Sequence, residues 1–286
     1  MNANCAVELR AGWHTLLVGD VRHGEFQEAI TWLRERTRCA VVSDAAAAQR
    51  YCQQGDAPPQ LVVLCQPHRD CFSPVDIERL HAAAPLARLV ALLGSTCEGE
   101  VRSGRPWPGV LRIYWHQWQG RARAELLPLL EGACSSWSLP RTATTADQAL
   151  FVADRPAPHR SGLVAVRAPR VVDYEALAEV CETLGATPLW LPPGRPALLR
   201  RPDLLVWDSD GRQGHELDRL ADLVQRIRPT RVLALLGFPR REEAAAARAA
   251  GADQMLSKPC LLGDLLASLA DLLPPAGKRL PESPAA

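Results

Sequence analysis

Between residues 162 and 273, short apolar runs alternate with segments of helical spacing, and this alternation constrains the fold more than any other feature of the chain. GLVAVRA (162–168), TPLWLPP (187–193), PDLLVWD (202–208), TRVLALLG (230–237) and ADQMLSKP (252–259) read as strands. DYEALAEVCETLGA (173–186), HELDRLADLVQRIR (215–228), REEAAAARAAG (241–251) and LLGDLLASLADLL (261–273) read as helices. In the second of these the apolar positions fall at 217, 220, 223, 224 and 227, one stripe of a 3.6-residue period. Strands separated in this way by helices form βαβ units, with right-handed crossovers and a parallel sheet covered on both faces.

The first half repeats the order. HTLLVGD (14–20), CAVVSD (39–44), PQLVVLC (59–65), ARLVALLG (87–94) and VLRIYW (110–115) read as strands, and EFQEAITWLRER, AAAAQRYCQQG and RARAELLPLLEG as helices. Both copies contain the string ALLG, and Cys65 stands 28 positions before Leu93 as Asp208 stands 28 before Leu236. Self-similarity of this kind settles the domain count before any motif is weighed. The expected layout is one domain over 1–132, a connection rich in Ser, Thr, Pro and Ala over 133–161, a second domain over 162–273 and a disordered tail over 274–286.

Composition narrows the class. A net charge of +1, from 33 basic and 32 acidic residues, gives no electrostatic footprint for nucleic acid or an anionic membrane. No apolar stretch approaches the ~18 residues of a membrane span, and the N-terminal residues lack the basic and apolar regions of a signal peptide. Nine cysteines, an odd number scattered singly, are expected to be reduced thiols, which together with the missing export signal implies a cytoplasmic location.

Two stretches of the second half carry a resemblance. PDLLVWD, ending in Asp208, and AAGADQMLSKP, ending in Lys258 and Pro259, are similar to the corresponding stretches of the receiver (CheY-like) domain of response regulators. The first half resembles the same family by way of the internal repeat. The resemblance implies two tandem flavodoxin-like (βα)5 domains of the α/β class, each with a parallel five-stranded sheet. It also implies a chemistry: a phosphoryl group passes from a histidine kinase to the aspartate, Mg²⁺ and the lysine compensate its charge, and a Ser or Thr on the fourth strand senses it.

This chain departs from that pattern in both halves. In the second, the acidic pair that would hold the metal is Arg167 and Ala168, and the hydroxyl position is Leu236, so only Asp208 and Lys258 remain. A hard cation such as Mg²⁺ wants carboxylate and water oxygens, and a guanidinium in their place repels it. Asp210 or Asp173 offers a substitute oxygen, and Arg167 could fork onto a phosphate. Otherwise Asp208 forms a static ion pair with Lys258 or Arg167. In the first half Asp20 is read as the remaining acid, with Cys65 at the acceptor position, Leu93 at the hydroxyl position and His116 at the lysine position. A thiol cannot replace the carboxylate in a metal-assisted transfer.

Other groupings are weaker. CQPHRDC offers Cys65, His68 and Cys71 as zinc-type ligands without a clear fourth, Cys97 and His81 being the only candidates. VWDSDGR resembles the nucleophile motif of haloacid-dehalogenase phosphatases, with Asp208 and Asp210 as nucleophile and acid/base, but lacks the Thr after the glycine. His23 reads as a polar residue of a loop. Among eight tryptophans, Trp107, Trp115 and Trp118 cluster with Tyr114 near the fifth strand, where Trp107 or Trp118 is a candidate docking anchor. No DNA-binding, cyclase or kinase motif lies outside the two segments. The expected protein is thus a tandem pseudo-receiver, not an enzyme and without a cofactor, that meets signalling proteins such as a histidine kinase or another receiver. Phosphorylation at Asp208, or an aspartyl-nucleophile phosphatase, are the alternatives.

Overall fold

The computed structural model describes residues 12–54, 58–99, 107–192, 200–210 and 215–276. It divides into two compact units, Met1–Val152 and Ala153–Ala286. The first unit holds β1 (His14–Gly19), β2 (Arg38–Val42), β3 (Leu61–Gln66), β4 (Arg88–Leu93) and β5 (Val110–Tyr114) in one parallel sheet of order β2-β1-β3-β4-β5. Helices α1 (Gln27–Arg36), α2 (Ala45–Gln54) and α3 (Pro74–Ala83) connect its strands. All six residues of β3 are buried, because a central strand of a parallel sheet has helices over both faces.

Helix α3 was not legible in the apolar periodicity, although its start is marked in the sequence. Ser73 and Asp76 close a reciprocal capping box, and Pro74 supplies the first helical residue, where its missing N–H costs nothing. After β5 the chain enters α4 (Trp118–Arg121), passes through a π-helical turn (Ala122–Leu126) and continues as α5 (Leu127–Leu130). Pro128 explains the turn, since it cannot donate to the carbonyl four residues back and the Leu127 N–H reaches Ala122 instead.

Within the stretch read as an inter-domain connection, Ser135, Ser136 and Trp137 are buried. The Glu125 carboxylate, itself buried in the π turn, accepts from the Ser136 N–H and hydroxyl, each at 2.8 Å. A helix, α6 (Thr145–Ala153), follows.

The second unit contains β6 (Leu163–Arg167), β7 (Thr187–Trp190), β8 (Leu204–Asp208), β9 (Arg231–Gly237) and β10 (Gln254–Lys258). Its sheet is parallel throughout, in the order β10-β9-β8-β6-β7. Numbered from its own first strand this order is 2-1-3-4-5, the same as in the first unit and that of the flavodoxin-like fold. Its helices are α7 (Val171–Thr183), α8 (Glu216–Ile227), α9 (Arg241–Ala249) and α10 (Leu262–Leu272). The strand faces pack two apolar clusters, one against α7 and α10 and the other against α8 and α9. Of the tail expected to be disordered, Pro274 and Pro275 are anchored: the Ser161 N–H bonds to the Pro274 carbonyl and Arg160 bridges to Pro275. Residues 277–286 lie outside the described residues.

The tryptophans proposed as docking anchors are core residues. Trp118 is 1% exposed and meets Trp32 edge-on, with ring centroids 6.2 Å apart, and Trp107 is buried against Phe72. Trp118 opens α4, whose buried side faces the core. Trp118→Ala is expected to destabilise the first unit by about 3–5 kcal/mol, as deletion of a buried indole does. Urea unfolding followed by far-ultraviolet circular dichroism measures it.

Candidate functional site

In a parallel α/β sheet the strand carboxyl ends, where the covering helices have not yet begun, form the edge open to ligands. Asp208 is the last residue of β8 and Lys258 the last of β10, with β9 between them. Neighbouring strands lie about 4.8 Å apart, so the lysine side chain must reach over the end of β9. It does: Lys258 Nζ donates to Asp208 Oδ1 at 2.6 Å and to the Ser209 carbonyl at 2.6 Å. Leu236, at the hydroxyl position, is buried and offers nothing polar to that edge.

The two partners are unequally covered, with side-chain exposures of 8% for Asp208 and 35% for Lys258. Burial pushes the Asp208 carboxyl above the ordinary carboxylate range, and the Lys258 ammonium pulls it only part of the way back. Around this pair opens a cleft of about 580 Å³, whose lining also includes Arg167, Arg170, Asp173, Asp210 and Arg219. Arg170 grips Asp173 by two bonds, of 2.8 and 2.6 Å, which hold the Asp173 carboxyl below its usual range.

Arg167 does not enter the space between Asp208 and Lys258. Its guanidinium donates to the Ala168 carbonyl at 3.0 Å and lies over the Trp207 ring, 5.5 Å from the centroid. Of the two partners expected for a static ion pair with Asp208, the structure selects Lys258. Asp210 is exposed, and its N–H donates to Glu216 Oε1 at 2.7 Å while the Ser209 hydroxyl donates to Oε2 at 2.8 Å. Glu216 therefore organises the loop after β8, a role that sequence reasoning missed. Its position in the first turn of α8, facing backward along the chain, was the available signal.

The donor set does not fit Mg²⁺. Both positions of the acidic pair lack an oxygen-bearing side chain, and Asp208 Oδ1 is already taken by an ammonium. Among the described residues no group of three or more His, Cys, Asp or Glu is arranged to hold a metal. That finding covers CQPHRDC as well: His68 and Cys71 approach each other, Sγ to Nδ1 3.4 Å, and Cys65 is buried at the end of β3.

Strand register corrects two assignments in the first unit. Val18 pairs with Leu64 and Gly19 with Cys65, whereas Arg167 pairs with Trp207, the residue before Asp208. Val18 and Gly19 therefore occupy the places of Arg167 and Ala168, and Asp20 lies one residue beyond. Gly19 has φ +95°, and a Cβ there would stand 3.0 Å from the Cys65 carbonyl oxygen, so no acid can replace it without moving backbone. Asp20 instead accepts from the Arg22 N–H in a local turn.

Likewise Leu93 pairs with Tyr114 and Leu236 with Ser257, so the counterpart of Lys258 is Trp115 and not His116. Where Lys258 makes ionic contacts, the Trp115 indole N–H donates to Ser95 Oγ at 2.9 Å. Ser95 in turn donates to Glu25 from its hydroxyl at 2.5 Å and its backbone N–H at 2.9 Å. His116 is buried, stacked on Tyr114, with Nε2 3.6 Å from the Glu98 carboxylate. His23 sits beside Phe26 with Nδ1 3.9 Å from Glu25.

No protein-family model matches the chain, and no curated protein matches it either. Solved structures do. The chemotaxis response regulator CheY4 of Vibrio cholerae is 18% identical with a TM-score of 0.35, over 40% of this chain and 99% of that one. The receiver domain of a signal transduction histidine kinase from Syntrophus aciditrophicus is 22% identical with a TM-score of 0.34, over 44% and 99%. A putative two-component response regulator/GGDEF domain protein is 13% identical with a TM-score of 0.33, over 90% and 97%. Strand order and parallel register in this chain decide the matter. Both units have the flavodoxin-like fold.

Two titration outcomes follow from the site. Because the folded Asp208 carboxyl binds its proton more tightly than the unfolded one, its stabilising contribution is present at acid pH and lost on going up. Wild-type stability relative to Asp208→Asn should therefore fall as pH rises from the ordinary carboxylate value of 3.8 through the raised one, read by urea unfolding at a series of pH values. In the first unit burial, with the nearby Asp20 charge, pushes the Cys65 thiol up to about 12. Iodoacetamide in mildly alkaline buffer should alkylate the exposed Cys134 in the native protein and spare Cys65 until denaturant is added. Native labelling of Cys65, read by peptide mass, would contradict the buried placement.

Proposed function

We propose that this chain is a tandem pseudo-receiver: a signalling protein of the response-regulator type that acts by contact and not by metal-dependent phosphoryl transfer. The observation that carries the reading is that Arg167 and Ala168 occupy both acidic positions, which leaves Lys258 as the one charged partner of Asp208, at 2.6 Å. A phosphoryl transfer concentrates negative charge at the acceptor, and the receiver route offsets it with a metal and a cation together. Here the cation alone remains, with a guanidinium at the edge of the place a metal would take. The first unit supports the same reading more strongly, since its acceptor position is a thiol and the rest of its edge is tied up by Trp115, Ser95 and Glu25.

On this reading the protein is not an enzyme. Its partners are signalling proteins, a histidine kinase or another receiver among them, and their recognition depends on surfaces other than an acyl phosphate. Two things favour the competing reading, in which Asp208 still accepts phosphate: the Asp208–Lys258 pair survives intact, and the cleft beside it is open. The phosphatase reading has less support, because Asp208 is engaged by Lys258 and the Asp210 backbone is tied to Glu216.

Incubation with acetyl phosphate and Mg²⁺ followed by intact mass measurement separates these readings. The wild-type protein should show no phosphate adduct, and a stoichiometric adduct that disappears in Asp208→Asn would refute the proposal. Restoring the missing parts, with Arg167→Asp, Ala168→Asp and Leu236→Thr together, should produce an adduct that depends on Mg²⁺.

A further inference from the structure

Of the four cations that line the cleft of the second unit among the described residues, two are committed. Lys258 holds Asp208, and Arg170 holds Asp173 by a fork from Nε and Nη2. Arg167 and Arg219 are different. Arg167 spends one N–H on the Ala168 carbonyl, and the side chain of Arg219, exposed on α8, makes no hydrogen bond or ion pair with the described residues. The two guanidiniums are close enough to act on each other: the Arg167 pKa is lowered first by burial, Asp210 opposes that, and repulsion from Arg219 lowers it further. The charges of Asp210, Glu216 and Asp208 act against this repulsion, but neither guanidinium is hydrogen-bonded to any of them, so both keep N–H groups to offer an anion in the cleft.

Other features of the cleft suit such an anion. Among the described residues its lining carries four cations against Asp173, Asp208 and Asp210. Its volume of about 580 Å³ falls within the ~300–1,000 Å³ of small-molecule sites. Guanidinium forks match the oxygen spacing of phosphate, which a single ammonium does not.

We infer that this cleft binds an oxyanion of the phosphate type, reversibly and without metal, between the guanidiniums of Arg167 and Arg219. The inference deepens the metal-free reading of the same site and rests on it, because the guanidinium that repels a metal is the one that holds the anion. No bond is made or broken. The ligand chemistry is a phosphate group, either free phosphate or a small phosphate monoester, and the occupied site would present a different charge to partners at the carboxyl edge of the sheet.

Calorimetric titration of the full chain in EDTA with inorganic phosphate and with phenyl phosphate tests it. Saturable one-site binding is expected, weakened about tenfold or more in Arg167→Gln and in Arg219→Gln, and nearly unchanged in Arg170→Gln, whose side chain is already paired. Arg219 lies exposed on a helix, so its replacement leaves the fold intact and its result stands even if Arg167→Gln folds poorly. Tighter binding of phenyl phosphate would identify a monoester as the ligand, and equal binding would identify phosphate itself. Absence of saturable binding, binding unaffected by Arg219→Gln, or binding that appears only with Mg²⁺ would each overturn the inference. An acetyl phosphate adduct at Asp208 would instead overturn the pseudo-receiver reading, and the phosphate titration in EDTA would still judge this one on its own.

Discussion

A strand buried on both faces has no room for a charge along its length, because desolvating an ion there costs far more than a strand pairing returns. Charges on the central strands are therefore pushed to their carboxyl ends, where the helices have not yet closed over them. β8 obeys this limit: Leu204 to Trp207 are apolar and buried, and the first carboxylate is Asp208 at the rim. Even there only 8% of the side chain is exposed, so the carboxylate requires a cation, and Lys258 reaches across β9 to supply it. The same ammonium also bonds the Ser209 carbonyl. One side chain thus joins β10, β8 and the loop that leads to α8.

The first unit meets the same limit by removing the charge. Cys65 ends β3 where Asp208 ends β8, and a buried thiol needs no counter-ion. The indole of Trp115 then takes the lysine's place, and its hydrogen bond to Ser95 and on to Glu25 ties the ends of β5 and β4 to the loop after β1. The two units share a topology and differ in what closes the carboxyl edge, a hydrogen-bond chain from Trp115 through Ser95 to the Glu25 carboxylate in one and an ion pair beside an open cleft in the other. The second keeps Arg167 and Arg219 facing its cleft without a carboxylate partner among the described residues, and this is the feature that suits an anion.

Much of this was legible beforehand for definite reasons. Each strand is a short run of Val, Leu and Ala between turn residues, and the repeat of ALLG set the two halves in register. Asp208 and Lys258 could be paired in advance because the residues around them match a family pattern over contiguous stretches. Errors arose where contiguous matching ran out. Asp20 and His116 were each displaced by one position, since counting along a sequence cannot tell where a strand ends and a turn begins, and only the ladder pairs of Gly19 with Cys65 and Leu93 with Tyr114 resolve it. Helix α3 escaped because its start is written in a capping box and its apolar face is short.

The amino-acid order alone determined that the chain forms two parallel α/β units, that an acid and a lysine survive at the ends of two strands in the second, and that the acids needed for Mg²⁺ do not. These follow from local periodicity and residue chemistry, which are properties of neighbours in sequence. The tertiary structure decided which cation Asp208 takes, that Arg167 turns onto Trp207 and away from that pair, that Glu216 holds Ser209 and Asp210, and that Arg219 lines the same cleft. It also placed Trp107 and Trp118 in the core. Each of these is a choice among partners many residues apart, made by distance, burial and charge once the strands are side by side, and no local pattern encodes it.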